Sequence, residues 1–285
     1  MPIKKYYQLT KPGIIYGNVM TAAAGFLLAS KWHVDVRLFL ATIVGTSLVI
    51  AAACVTNNYI DRGIDIKMAR TKKRALVSGS IAPKNAIAFA VILGLLGFLV
   101  LIAYSTLQVA AIGAAALVDY VLLYGVAKRR SVHGTLVGSF AGAAPILAGY
   151  VAARGHFDSG ALVVFLILLL WQMPHFYAIA SYRFNDYKAA GLPVLPVKSG
   201  VRAAKRQILA YIAAFIIATT LLTVLGYTGY IYLFVMTAIG LLWFRYGLRG
   251  FKTADDKLWS RKMFLISLVV ILVVSIMMPL GAILP

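Results

Sequence analysis

The sequence predicts an all-α, polytopic membrane protein with nine transmembrane helices, and three observations carry that reading. Hydrophobic residues make up 62% of the 285 positions and charged residues only 13%, about half the roughly 25% of a soluble domain. Nine apolar runs reach membrane-spanning length. The basic residues sort to alternate connections, as the positive-inside rule requires.

The runs fall near 13–30, 38–57, 85–104, 107–127, 133–153, 160–181, 207–226, 229–247 and 263–283. With the N-terminus in the cytoplasm, all of the 28 Lys and Arg lie inside except Lys31, Arg37 and Arg154. A wrong helix count would scramble this segregation. The eighth run is short and Tyr-rich. The C-terminus then lies on the outer side of the inner (cytoplasmic) membrane. The first run shows no cleavage pattern and reads as a retained span rather than a signal peptide. Cys54 is the single cysteine and excludes an internal disulfide. The net charge of +20 would suggest nucleic acid in a soluble chain. Here the bases occupy short connections between apolar runs and serve orientation and anionic lipid, so no nucleic-acid partner is expected. Residues 1–285 read as one transmembrane domain. The long connections 58–84 and 182–206 follow the second and sixth runs, a faint two-fold echo.

The second run ends in Asn57-Asn58-Tyr59-Ile60-Asp61-Arg62-Gly63-Ile64-Asp65. Asn57, Asp61 and Asp65 are four apart, so a helix stacks them on one face about 6 Å of rise apart. Two carboxylates and an amide so placed can share a divalent cation, and Mg²⁺ typically takes one or two carboxylates plus substrate phosphate oxygens. Arg62, Lys67, Arg70, Lys72, Lys73 and Arg74 follow. Acids in a stripe followed by bases suit a metal-bridged diphosphate; the plainer reading is a solvated, orientation-setting loop.

A second polar constellation ends the sixth run: Trp171-Gln172-Met173-Pro174-His175-Phe176, then Tyr182-Arg183-Phe184-Asn185-Asp186-Tyr187. Pro174 removes a helical hydrogen bond and is expected to bend the helix, with His175 directly after it. Asp186 puts an acid on the same membrane side as Asp61 and Asp65. Asp119, in the fourth run, is an intramembrane carboxylate costing about 2.5–3.5 kcal/mol on insertion scales; its structural alternative is a protonated or Tyr-bonded acid. His33 and His156 fall on the outer face, and His133 on the inner. No phosphate-cradling Gly-rich loop, Ser/His/Asp arrangement or paired-Cys pattern is present.

These two constellations resemble the motifs of the intramembrane prenyltransferase (UbiA) superfamily. The Trp171–Phe176 and Leu192-Pro193-Val194-Leu195-Pro196 segments are similar to its heme-farnesylating branch, as are Leu9-Thr10-Lys11-Pro12-Gly13-Ile14, Leu248–Lys252 and Ala254-Asp255-Asp256. The resemblance implies helices around a central cavity open to the cytoplasmic side, and transfer of a farnesyl group from farnesyl diphosphate to the 2-vinyl group of heme B, with water added. By position it implies Mg²⁺ held by Asn57, Asp61, Asp65 and Asp186. Diphosphate contacts would come from Asn57, Arg62, Lys67, Arg70 and Arg183. His175, with Trp171 and Tyr182, would meet heme, and Asp61, Asp65, His175 and Asp186 would form the catalytic set. A heme A synthase or terminal oxidase is the implied downstream partner. Ala190 stands where quinone-type members carry another Asp, and Gly63 where close relatives often carry an acid. The alternative within the superfamily is an aromatic, quinone-precursor prenyltransferase. A proton-relaying transporter would place acids across the span, whereas all but Asp119 lie near membrane ends.

Overall fold

A computed structural model describes residues 2–285. Among these, nine helices are long and apolar enough to cross a membrane. They are α2 (Pro12–Ser30), α3 (Val36–Ile60), α5 (Pro83–Tyr104), a composite fourth span (Leu107–Arg130), α8 (Gly134–Arg154), α9 (Ser159–Tyr182), α12 (Val201–Val224), α13 (Tyr230–Arg249) and α14 (Asp256–Gly281). The fourth span is α6 (Leu107–Val118), a π turn (Asp119–Leu123) and α7 (Tyr124–Arg130). Short helices α1 (Pro2–Leu9), α4 (Arg62–Asp65), α10 (Phe184–Ala189) and α11 (Leu195–Ser199) lie in the connections.

Helix ends follow capping chemistry rather than hydropathy. Carboxylates of Asp35, Asp158 and Asp255 accept the backbone N–H of Leu38, Ala161 and Leu258 at 3.0, 3.0 and 2.9 Å, satisfying donors a helix start leaves orphaned. Three of the acids are thereby accounted for as caps. Two starts lie outward of the apolar runs: α14 begins at its Asp255 cap, and α12, without a side-chain cap, begins after Gly200 at φ 85°. Arg202, Lys205 and Arg206 therefore lie on helix, beyond the apolar stretch.

Helices α8 and α9 are the most enclosed, with α2, α12 and α14 packed against them. Ile146, Ile167, Met173, Ile208, Phe215, Trp243 and Val270 fill the main core. In a membrane there is no hydrophobic gain from helix to helix, so close backbone approach decides packing. At Gly149 of α8 an added Cβ would stand 1.9 Å from the Ala22 carbonyl oxygen of α2; only glycine permits this crossing. Pro174 sits inside α9, which runs unbroken through it from Ser159 to Tyr182.

At the basic end, buried Lys205 on α12 donates to the Gly250 carbonyl at 2.6 Å and pairs with Asp256 at the start of α14. Its ammonium also lies 5.2 Å from the Trp259 ring centroid. This clasp joins the ends of α12, α13 and α14, and gives the Leu248–Asp256 segment a structural task.

Candidate active site

The inner end of α3 passes almost directly into α4. Asp61 N–H donates to Asn57 O at 2.9 Å and Asp65 N–H to Asp61 O at 2.8 Å, so helical backbone hydrogen bonding continues through all three residues. The following connection does not trail into solvent. Leu76 and Ile81 pack with Leu9, Val55 and Ala86, and Thr71 Oγ1 donates to Asp65 O at 2.9 Å.

That folding back gives Asp65 a cation, and α7 supplies those of Asp61. Asp65 is buried, and its Oδ2 takes Arg74 Nη1 at 2.7 Å. Asp61 Oδ2 takes Lys128 Nζ at 2.5 Å, and its Oδ1 takes Arg129 Nη2 at 3.2 Å. Buried Asn57 accepts from Lys11 Nζ at 2.8 Å, while its neighbour Asn58 donates to Leu9 O at 2.8 Å. Lys11 lies outside the spans, and burial pulls its ammonium down to about 8. Cys54, Asp61 and Asp65 oppose that fall, and Arg74 adds to it.

The second constellation reaches the first through Asp186 on α10, whose Oδ1 accepts the Ala69 N–H at 3.2 Å. The candidate diphosphate cations are disposed differently. Arg62, Lys67 and Arg70 are exposed. Arg62 donates to Tyr59 O at 2.8 Å and lies 4.3 Å from that ring's centroid. Arg183 covers the Tyr182 ring at 4.5 Å. The cations touching Asn57 and the acids are Lys11, Arg74, Lys128 and Arg129. In the sequence Lys128 and Arg129 count among the orientation charges, and Lys11 lies within the Leu9–Ile14 motif. Their spacing from Asn57 and Asp61 in the chain offered no signal.

His175 occupies a separate locus. It is buried between α9 and α14, its ring stacked on Trp171 at 4.8 Å and tilted against Phe264 at 5.2 Å. His175 Nδ1 lies 2.7 Å from Ser267 Oγ. The Ser267 hydroxyl proton goes to Phe264 O at 2.6 Å, so Nδ1–H is the donor and Nε2 carries the lone pair. Trp171 Nε1 donates to Ser267 O at 2.9 Å, fixing the stack from its other side. Gln172 donates to Ser139 O at 3.0 Å and Leu168 O at 3.1 Å, bridging α8 and α9. Asp119 opens the π turn of the fourth span, and its Oδ2 accepts the Ala141 N–H at 3.2 Å, a backbone partner rather than a tyrosine. His33, His133 and His156 are exposed.

No cluster of three or more His, Cys, Asp or Glu suited to a metal occurs among the described residues. The donor set here is oxygen alone, two carboxylates and an amide in succession on α3 and α4, with Asp186 on the adjoining segment. Such hard donors, too few to enclose an ion, fit a Mg²⁺ that is completed by water and phosphate oxygens.

The profile of the UbiA prenyltransferase family matches residues 18–269. The chain belongs to that family. A protein named protoheme IX farnesyltransferase from Klebsiella pneumoniae subsp. pneumoniae is 50% identical over 283 residues, covering 99% of this chain and 96% of its own length. One of the same name from Serratia proteamaculans is 52% identical over 277 residues, covering 97% and 94%. Among solved structures, a digeranylgeranylglyceryl phosphate synthase shares the fold at TM-score 0.82 and 21% identity, over 99% of both chains. A UbiA homologue from Archaeoglobus fulgidus bound to GPP and Mg²⁺ does so at TM-score 0.72 and 15% identity, over 96% of this chain and 99% of its own. These likenesses establish a UbiA fold for the nine-helix bundle.

Proposed function

We propose that this UbiA-family chain transfers the farnesyl group of farnesyl diphosphate to the 2-vinyl group of heme B, with addition of water, giving heme O and diphosphate. The observation that carries this reading is identity of 50–52% over nearly full length to proteins named protoheme IX farnesyltransferase. The paired acid-and-cation rim supports it. Aromatic, quinone-precursor prenylation is the alternative outcome of the test below. The N-terminus and the basic end face the cytoplasm, the C-terminus the outer side, and one transmembrane domain in the inner membrane carries the whole activity. Heme O then passes to a terminal oxidase or a heme A synthase.

The chemistry is charge management. The bond from the allylic carbon to diphosphate oxygen breaks, the vinyl carbon bonds to the allylic carbon, and water adds at the neighbouring vinyl-derived cation and loses a proton. Asn57, Asp61, Asp65 and Asp186 would hold Mg²⁺, which supplies Lewis-acid stabilisation of the departing diphosphate. Arg62, Lys67, Arg70 and Arg183 close over the diphosphate from the exposed side, adding positive charge where negative charge develops. The apolar bundle keeps water from the allylic cation until the vinyl carbon has reacted. His175, its ring fixed by Ser267 and Trp171, offers Nε2 to heme, and Tyr182 adds an aromatic contact.

Purified protein in detergent, given heme B, farnesyl diphosphate and Mg²⁺, is expected to yield a hydroxyethylfarnesyl heme by chromatography and mass spectrometry, abolished by EDTA. Prenylation of an added aromatic acid with no heme product would move the chain to the quinone branch.

A further inference from the structure

The segment joining α1 to α2 carries a feature the proposed reaction leaves unused. Lys11 is one of the non-glycine residues with positive φ, at φ 54° and ψ 65°. Left-handed backbone costs an L residue about 1–3 kcal/mol and persists where the surroundings over-determine it. Pro12 narrows the choice further by disfavouring the right-handed helical region for the residue before it. Two side chains of α3 hold the segment in place: Asn58 Nδ2 grips Leu9 O, and Asn57 Oδ1 takes the Lys11 ammonium. Leu9 is itself buried against Val55 and Leu76.

The resulting position is specific. Lys11 aims its charge at the first residue of the Asn57-Asp61-Asp65 stripe, and the other two residues of that stripe already have cations of their own in Arg74, Lys128 and Arg129. An ammonium has three donors, and the neutral amide Asn57 Oδ1 is the side-chain partner of Lys11. A neutral amide compensates a half-buried cation poorly, whereas an anionic phosphate oxygen compensates it well. Were Asn57 to turn to a metal ion, Lys11 would be released beside the incoming anion.

We propose that Lys11 is a diphosphate-binding residue of this site, resting on Asn57 in the free protein and passing to the diphosphate when substrate and cation occupy the stripe. The proposal rests on the reading of the site as a prenyl diphosphate site. It makes α1 and the Leu9–Pro12 connection a wall of that site rather than a membrane-surface appendage.

The test uses the full-length protein in detergent, with inorganic pyrophosphate plus Mg²⁺ as probe, read by equilibrium binding, and heme B binding and Tm measured alongside. Lys11→Met is expected to weaken pyrophosphate binding about tenfold or more, the range for one hydrogen bond to a charged group, with heme binding unchanged and a Tm loss no larger than that of Asn58→Leu, since buried Asn57 Oδ1 loses its donor. Lys11→Arg is expected to restore most of the affinity. Asn58→Leu, which loosens the latch but keeps the charge, is expected to lower Tm without matching the affinity loss of Lys11→Met. Unchanged pyrophosphate binding in Lys11→Met overturns the proposal, as does an equal loss in Asn58→Leu, which would make Lys11 a latch only. If the parent binds pyrophosphate but farnesylates no heme, the reaction assigned above falls while Lys11 keeps its role. If the parent binds no pyrophosphate, both fall.

Discussion

Lys128 Nζ lies 2.5 Å from Asp61 Oδ2, so the last turn of the fourth span neutralises a carboxylate presented by the end of α3. With Arg74 on Asp65, this gives the rim an internal set of counter-charges before any substrate arrives. In the proposed reaction the metal would take the carboxylates, and the cations now paired with them would be left beside the diphosphate, in addition to Arg62, Lys67, Arg70 and Arg183. The charged groups are thus assembled in advance, which is the arrangement that makes electrostatic stabilisation effective.

Removing either acid tests the metal assignment. Asp61→Ala and Asp65→Ala are each expected to lower heme farnesylation by about a hundredfold or more while leaving the protein inserted. Asp65→Ala also strands Arg74, so its Tm is expected to drop further than that of Asp65→Asn. Turnover at the parent rate in either alanine variant, assayed with saturating Mg²⁺, removes these residues from the site.

Ser267→Ala tests whether His175 serves heme binding apart from diphosphate binding. Ser267→Ala takes away the acceptor that fixes the His175 ring and its tautomer. Heme B affinity is expected to fall roughly two- to tenfold, the worth of one neutral hydrogen bond. The KM for farnesyl diphosphate is expected to stay put. A change in that KM alone would place His175 with the diphosphate instead.

Gly149→Ala probes the α2–α8 crossing. The new methyl meets a backbone carbonyl, which cannot swing aside as a side chain can. A loss of at least about 1–3 kcal/mol is expected, seen as reduced folded yield and a lower Tm in detergent. Unaltered thermal stability would mean the two helices sit further apart.

The basic-end clasp is structural. Lys205→Met leaves the Gly250 carbonyl without its buried donor, an expected cost of about 1–3 kcal/mol read as Tm. The ratio of heme O formed to farnesyl diphosphate consumed is expected to match the parent, because the groups Lys205 touches, Gly250, Asp256 and Trp259, are none of those assigned to the reaction.

The chain by itself determined the nine-helix architecture, because apolar length and charge sorting are one-dimensional properties that a bilayer reads directly. It also determined the local succession of Asn57, Asp61 and Asp65, because four-residue spacing is a property of a single helix. Helix starts were less legible: α12 and α14 extend past their apolar stretches, and backbone at Gly200 and the Asp255 cap mark where they begin. Tertiary structure alone decided which charge meets which acid. Lys11 reaches Asn57 across 46 residues and Lys128 reaches Asp61 across 67, and no periodicity encodes such pairs. It also decided that His175 is held by Ser267, 92 residues away. The physical reason is that a hydrogen bond or ion pair between helices depends on how those helices cross, which close contacts such as Gly149 on Ala22 set and hydropathy does not record.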